Sequence, residues 1–323
     1  MIMFPRSVAA SISALVLAMS SAVMAEGPSD GNRITLQRPP GKFVSVGRLN
    51  LYIYCKGEGE PTVVFDSGIG GGSLEWLAVQ DRVAKHFRAC AYDRAGYGWS
   101  LPGPFPRTTA QIVTELQLLL QRDNLKPPFI LVGHSFGGFN IRYFASRYPR
   151  EIAGLVLVDA SDPQQGITVD ATTGSRRLRN PIKQDARLDH SGLPTTPLQI
   201  ESFLNTRRQA VFAQMDEISH FADSARQVEK AGPLPDVPLM VLSHGRRVWP
   251  AGADGDRREA EWAMLQRRLV QLAPQGEQEV VSNAGHNIQV DAPAVVAAAI
   301  LKVAEQSKRQ IGHRQPPANV TAP

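Results

Sequence analysis

The sequence predicts an α/β fold: a mostly parallel central sheet flanked by helices on both faces, with a helical cap inserted past its middle. Three observations carry this. Short, wholly apolar runs alternate with longer segments of helical period, and strands that are apolar on both faces belong to a parallel sheet covered on two sides. The alternation stops over residues 161–236 and then resumes, and an insertion of that length is most simply a cap over a cleft. With 323 residues, 43% hydrophobic and 20% charged, the chain is long enough to bury a sizeable core, which excludes disorder, collagen and coiled coil as readings of the whole.

Taken in order, the Pro/Gly-rich lead Arg38-Pro39-Pro40-Gly41 precedes the strand-like run Leu49-Asn50-Leu51-Tyr52-Ile53-Tyr54-Cys55. Residues 61–65 read as a buried strand ending in Gly68-Ile69-Gly70-Gly71-Gly72, and Arg88-Ala89-Cys90-Ala91-Tyr92 as a further strand. Thr108 with Gln111 three residues later is a capping-box pattern. It opens a helix whose face carries Ile112, Leu116, Leu119 and Leu120 and which Pro127-Pro128 stops. A strand at 129–132, a glycine-bounded turn, a helix at 136–148 closed by Pro149 and a strand at 155–158 follow. Inside the insertion Leu204, Val211, Met215, Ile218 and Ala222 repeat at helical spacing. The sheet pattern resumes at 239–242, followed by a helix with Trp262, Leu265, Leu269 and Leu272 on one face and a strand at 278–282. A last helix opens at Asp291-Ala292-Pro293, with a capping acid and a proline in its first turn. The expected organisation is a core of residues 26–160 and 237–305, an insertion of 161–236 and a loose polar tail of 306–323.

Residues 1–25 are expected to lie outside the fold. Arg6 supplies a positive start, 8–19 is apolar but diluted by serines, and Val23-Met24-Ala25 ends in small residues placed for cleavage before Glu26. That pattern is a secretory signal, and the run is short for the alternative, an uncleaved anchor. The expected location is therefore exported, periplasmic or secreted, with no membrane span after cleavage. Two cysteines are too few for a disulfide scaffold or a cysteine-rich zinc module. In an oxidising compartment Cys55 and Cys90 form one bridge if their strands meet; otherwise they are two buried thiols. The 35 basic side chains exceed the 30 acidic ones by only five and the arginines are scattered, so no nucleic-acid partner is expected. Arg176, Arg177 and Arg179 in the insertion read as a solvated face, or less simply as a preference for acidic substrates.

The chemistry concentrates in Gly133-His134-Ser135-Phe136-Gly137, a G-x-S-x-G directly after a strand and before a helix. A serine on so sharp a turn is held in a strained conformation, and glycine two residues to either side lets the turn close. The hydroxyl is thereby lifted above the sheet and the next amide placed at a helix N-terminus. With this elbow, Asp66-Ser67-Gly68-Ile69-Gly70, Tyr92-Asp93-Arg94-Ala95-Gly96-Tyr97-Gly98-Trp99-Ser100 and Asn283-Ala284-Gly285-His286, the chain resembles the α/β-hydrolase family of serine hydrolases from about residue 44 to 304. Gly96-x-Gly98 lacks the third glycine of a dinucleotide loop and reads as a tight turn.

The resemblance implies roles. Ser135 is the nucleophile and needs an adjacent base; His286, in the position of the family's histidine loop, is that base. Backbone N–H groups of Ile69 and Phe136 form the oxyanion hole, flanked by the elbow residues Gly133, His134 and Gly137, with the His134 ring shaping the pocket. The family's usual acid follows the strand that here ends Ser243-His244-Gly245-Arg246-Arg247-Val248, where no carboxylate stands. Asp159, ending Leu157-Val158-Asp159-Ala160, is the preferred third member, with Asp254 and Asp256 as alternatives in a loop that bends back. The strands of Cys55 and Cys90 are neighbours in that fold, which favours the bridge. The implied activity is hydrolysis of a small-molecule ester through an acyl-enzyme, with no metal or organic cofactor. Amide or C–C cleavage and acyl transfer use the same machinery, and a non-catalytic binding protein on this fold is the reading from another class. The oligomeric state is left open.

Overall fold

The computed structural model describes residues 39–165 and 196–314; the expected signal segment 1–25, Arg176, Arg177 and Arg179 and the last nine residues lie outside them. Eight strands form one sheet in the order β1-β2-β4-β3-β5-β6-β7-β8. β1 (Lys42–Val46) and β2 (Leu49–Lys56) pair antiparallel, and β2 runs antiparallel to β4 (Ala89–Tyr92). From there β3 (Thr62–Asp66), β5 (Phe129–His134), β6 (Ile152–Val158), β7 (Leu239–His244) and β8 (Gly276–Val281) are all parallel. Every residue of β3, β5 and β6 is buried, which is why these strands read as continuous apolar runs. In the register of β2 and β4, Cys55 stands directly opposite Cys90, with Cα atoms 4.0 Å apart, and the two are disulfide-bonded.

Alternate side chains of each strand feed two cores. Ile130 and Val132 of β5 join Val156, Val158, Met240 and Leu242 against α1 (Leu77–Val83) and α9 (Pro293–Arg314), while Leu131, Leu155, Leu157 and Val241 pack on the other face. There they meet α2 (Thr109–Arg122) through Val113, Leu116 and Leu120, and α3 (Gly137–Arg147) through Ile141 and Phe144. Each such Leu, Ile or Val stabilises the fold by about 1.5–3 kcal/mol through burial. Thr108 caps α2 by accepting from the Gln111 N–H, as its sequence pattern predicts. α7 (Ala253–Val270) buries Trp262, Leu265 and Leu269. Among the described residues no helix is long and apolar enough to cross a membrane.

The insertion differs from expectation. Its helical spacing from Leu204 to Ala222 is not one helix but parts of three: α4 (Pro197–Asn205), α5 (Arg208–Ser219) and α6 (Phe221–Lys230). Arg207 is extended at φ −64° and ψ 147°, and His220 leaves helical geometry between α5 and α6. Val211 and Met215 lie outside, 41% and 58% exposed, because α5 buries Ala210, Ala213 and Glu217 instead. α6 does pack an apolar face, setting Phe221, Ala225 and Val228 on Ile112, Phe136 and Phe139. The tail also departs from its expected looseness at 306: α9 continues through Arg314. Ser307 is buried, and Gln306 Nε2 donates to Glu277 Oε1 at 2.7 Å, so polar contacts with β8 hold a segment whose composition looks unstructured.

Candidate active site

Ser135 links β5 to α3 with φ at 50°, a left-handed conformation that costs a side-chain-bearing residue about 1–3 kcal/mol. The surrounding chain imposes it. The Ser135 N–H donates to the Val158 carbonyl at 3.2 Å, and its own carbonyl accepts from the N–H groups of Gly138 at 3.0 Å and Ser161 at 2.9 Å. The glycines of the motif are required by contact: a Cβ on Gly133 would lie 2.6 Å from the Gly137 carbonyl oxygen, and one on Gly137 would lie 2.3 Å from that of Asp66. Gly68 packs so closely that a Cβ there would stand 3.1 Å from the Ser135 Cβ, which brings the glycine loop onto the elbow.

That loop is fixed from behind by a buried arginine. Arg94 donates through Nη1 to Asp66 Oδ1 at 2.9 Å and to the Ser67 carbonyl at 2.5 Å, and through Nη2 to the Gly68 carbonyl at 2.8 Å. In a trans peptide the C=O of Gly68 and the N–H of Ile69 point opposite ways, so fixing one on Arg94 turns the other away from it. Asn205 of α4 donates to the Gly70 carbonyl at 2.6 Å and anchors the insertion to the same loop. Phe136, whose N–H is the other expected donor, sits at the N-terminus of α3 with helical φ and ψ.

The acid beside His286 is Asp159. His286 Nδ1 lies 2.7 Å from Asp159 Oδ2, and Asp159 is wholly buried with φ at 43°, a second non-glycine residue in the left-handed region. Its carboxylate also accepts from Trp262 Nε1 at 2.8 Å, from the His244 N–H at 3.1 Å and from His244 Nδ1 at 2.8 Å. Burial alone pushes this carboxyl up, but the hydrogen bonds from His244 and His286 outweigh it and hold it well below the usual carboxylate range. With Nδ1–H on Asp159, the His286 Nε2 is left as the basic nitrogen.

Asp254 and Asp256 do not complete the site. Both stand in the exposed first turn of α7 and not in a loop folded back on His286. Asp254 accepts from Arg257 and Arg258, each at 2.7 Å, and Asp256 pairs with Arg247 at 2.6 Å. Negative charge in a first turn suits the helix dipole, which accounts for their placement.

His134 shapes the site from beside the serine. Its Nε2–H donates to the His286 carbonyl at 3.0 Å, its Nδ1 accepts from Gln289 Nε2 at 3.1 Å, and its ring centroid lies 4.7 Å from that of His286. Burial, with the neighbouring His286, pulls this imidazole down to about 3, so it stays neutral. The histidine loop is further held by Asp291, which accepts from the Gly285 N–H at 2.8 Å and from Arg246 at 2.6 Å.

Sequence reasoning assigns no site role to His244, Glu259, Trp262, Arg94 or Gln289. Two carry a local signal: His244 ends the strand after which the family usually places its acid, and Arg94 lies in the motif at 92–100. The others reach the site from distant parts of the chain.

Residues 63–299 match the family described as "Alpha/beta hydrolase family". The chain belongs to the α/β-hydrolase family. It is 30% identical over 249 residues to the uncharacterized protein YqjL of Bacillus subtilis (strain 168), covering 77% of this chain and 85% of that one. Among solved structures this α/β-hydrolase chain is similar to the enol-lactonase of Burkholderia xenovorans LB400, at 19% identity and a TM-score of 0.61, over 81% of this chain and 99% of that one. A thermophilic esterase from Thermogutta terrifontis matches at 18% identity and a TM-score of 0.58, over 83% and 98%. At these identities the structural likeness concerns the fold.

Proposed function

We propose that the chain is an exported serine hydrolase that cleaves a carboxylic ester through an acyl-enzyme on Ser135. The carrying observation is the 2.7 Å contact of His286 Nδ1 with buried Asp159, in a loop whose His286 carbonyl is held by the ring of His134, the residue beside Ser135. In this reading His286 takes the Ser135 proton as the hydroxyl attacks the ester carbon. The oxyanion rests on the N–H groups of Ile69 and Phe136, each preorganised donor contributing about 3–4 kcal/mol in the transition state. His286 then protonates the departing alcohol, and in a second round activates water against the acyl-enzyme. Asp159 holds the imidazole in the required tautomer and stabilises its charged form. Support for the ester reading comes from an esterase and an enol-lactonase of the same fold; the fold itself does not choose the bond that is cleaved. Support for export comes from the Cys55–Cys90 bond, since such bonds persist in oxidising compartments.

A fluorophosphonate probe tests this directly. The expected result is stoichiometric labelling that maps to Ser135 and vanishes in Ser135→Ala; a chain that takes no label is a binding protein on a hydrolase fold. The pH profile gives an independent check, because a protonated imidazole cannot act as base. Turnover expressed as kcat/KM is expected to fall on the acid side, by about tenfold per pH unit for the loss of one base. Activity undiminished down to about pH 4 would remove His286 from the mechanism.

A further inference from the structure

β7 ends in His244, and its ring stands between two carboxylates. Nδ1 lies 2.8 Å from Asp159 Oδ2 and Nε2 lies 3.0 Å from Glu259 Oε2. An ionised carboxylate only accepts, so both contacts are hydrogen bonds when both ring nitrogens carry protons. Each carboxylate is kept anionic by donors of its own. Asp159 takes the His244 N–H and Trp262 Nε1, while Glu259 Oε1 takes the N–H groups of Val248 at 2.6 Å and Trp249 at 2.9 Å. The ring is almost buried and lies against Trp262 and Trp249, with centroids 6.2 Å and 5.9 Å away. Burial pulls this imidazole down, but the two carboxylates outweigh that and hold it above the ordinary histidine value.

Asp159 Oδ2 therefore serves two rings, His286 at 2.7 Å and His244 at 2.8 Å. We propose that His244 is a positioning residue, held as an imidazolium between Asp159 and Glu259, and that its resident charge lowers the pH at which His286 becomes available as a base. The proposal rests on the triad reading above. A cation already seated on the shared oxygen opposes a second one there, so His286 stays free of its proton further into the acid range. The backbone N–H of His244 also bonds the other oxygen, Asp159 Oδ1, at 3.1 Å, so the residue fixes the rotamer of the acid.

Other groups face the pair. The His134 ring packs on His286 and is neutral; Glu75, pushed up to about 7 by burial, lies 3.9 Å from His134 Nδ1. Arg246 with Asp291 braces the histidine loop, and Arg247 with Asp256 lies at the start of α7. All of these are common to the proteins compared below, so their contributions cancel.

The test compares pH profiles of kcat/KM on a p-nitrophenyl ester for the full chain, His244→Gln and Glu259→Gln. The acid limb is expected to move up by about 1 pH unit in His244→Gln, and by less in Glu259→Gln, where the ring keeps Asp159 but loses its second anion. A uniform fall in activity with the limb unmoved assigns His244 a purely structural role and overturns the proposal. A second measurement needs neither activity nor a His244 variant. In Ser135→Ala protein labelled with ¹⁵N at histidine, both His244 nitrogens are expected to be protonated at neutral pH, and Glu259→Gln to move that ring's titration to lower pH. An unprotonated His244 nitrogen at neutral pH overturns the proposal. Failure of the triad reading looks different: Ser135→Ala retains turnover, and the ring signature of His244 still decides its charge.

Discussion

Asp159→Asn is expected to lower kcat about 10⁴-fold while Asp254→Asn and Asp256→Asn stay within about twofold of the parent. The reason is the donor crowd around one carboxylate. Four hydrogens converge on Asp159: the His244 N–H and Nδ1–H, Trp262 Nε1–H and His286 Nδ1–H. An amide offers one acceptor oxygen, and its NH₂ must then face a donor. If that donor is His286, the ring is driven to the tautomer with its proton on Nε2, toward Ser135, and ceases to be a base. Asp254 and Asp256, exposed and paired with arginines of their own, have no such effect on the ring. Turnover of p-nitrophenyl acetate and butyrate by the three variants, with thermal unfolding run beside it to confirm folding, decides the matter. Collapse of Asp254→Asn or Asp256→Asn with Asp159→Asn active would reassign the acid and leave the fold standing.

The legible parts of this molecule are those whose physics is local. β3, β5 and β6 announce themselves because a strand buried on both faces has no polar position to spare. The elbow is legible because the close approach of Gly133 and Gly137 to neighbouring backbone admits no side chain, and that constraint is written within five residues. The carboxylate that pairs with His286 is less legible. A strand-terminal Asp looks the same in sequence whether it caps a turn or serves a histidine. What distinguishes Asp159 is supplied by His244, Trp262 and His286, which lie 85, 103 and 127 positions further along. The buried face of α5 is hidden from the sequence for a related reason. Counting apolar side chains puts Val211 and Met215 inside, whereas the buried position is taken by Glu217, drawn in by an arginine 123 residues earlier. The start of the tail looks loose in sequence because a polar contact such as that of Gln306 with Glu277 leaves no trace in hydropathy.

Glu217 carries the second large expectation: Glu217→Ala should lower the thermal midpoint by about 10 °C. The Glu217 carboxylate has no solvent exposure and accepts from Arg94 Nε and Nη2, each at 3.0 Å, and from the Tyr97 hydroxyl at 2.8 Å. Removing it leaves a buried guanidinium with Asp66 and two carbonyls but without its principal partner, a loss of about 3–5 kcal/mol for a pair of this kind. Glu217→Gln, which keeps one acceptor oxygen, should fall between the parent and Ala. A midpoint within about 2 °C of the parent would mean that the pair adds nothing net to the fold. Because the same guanidinium grips the Ser67 and Gly68 carbonyls, the damage should reach catalysis as well, through a loosened Ile69 peptide. Turnover measured well below the midpoint separates the two consequences. A Glu217→Ala protein that unfolds early but turns over normally while folded confines the pair to holding α5 on the core. One that also loses kcat shows that the insertion, through Arg94, holds the glycine loop in its working shape.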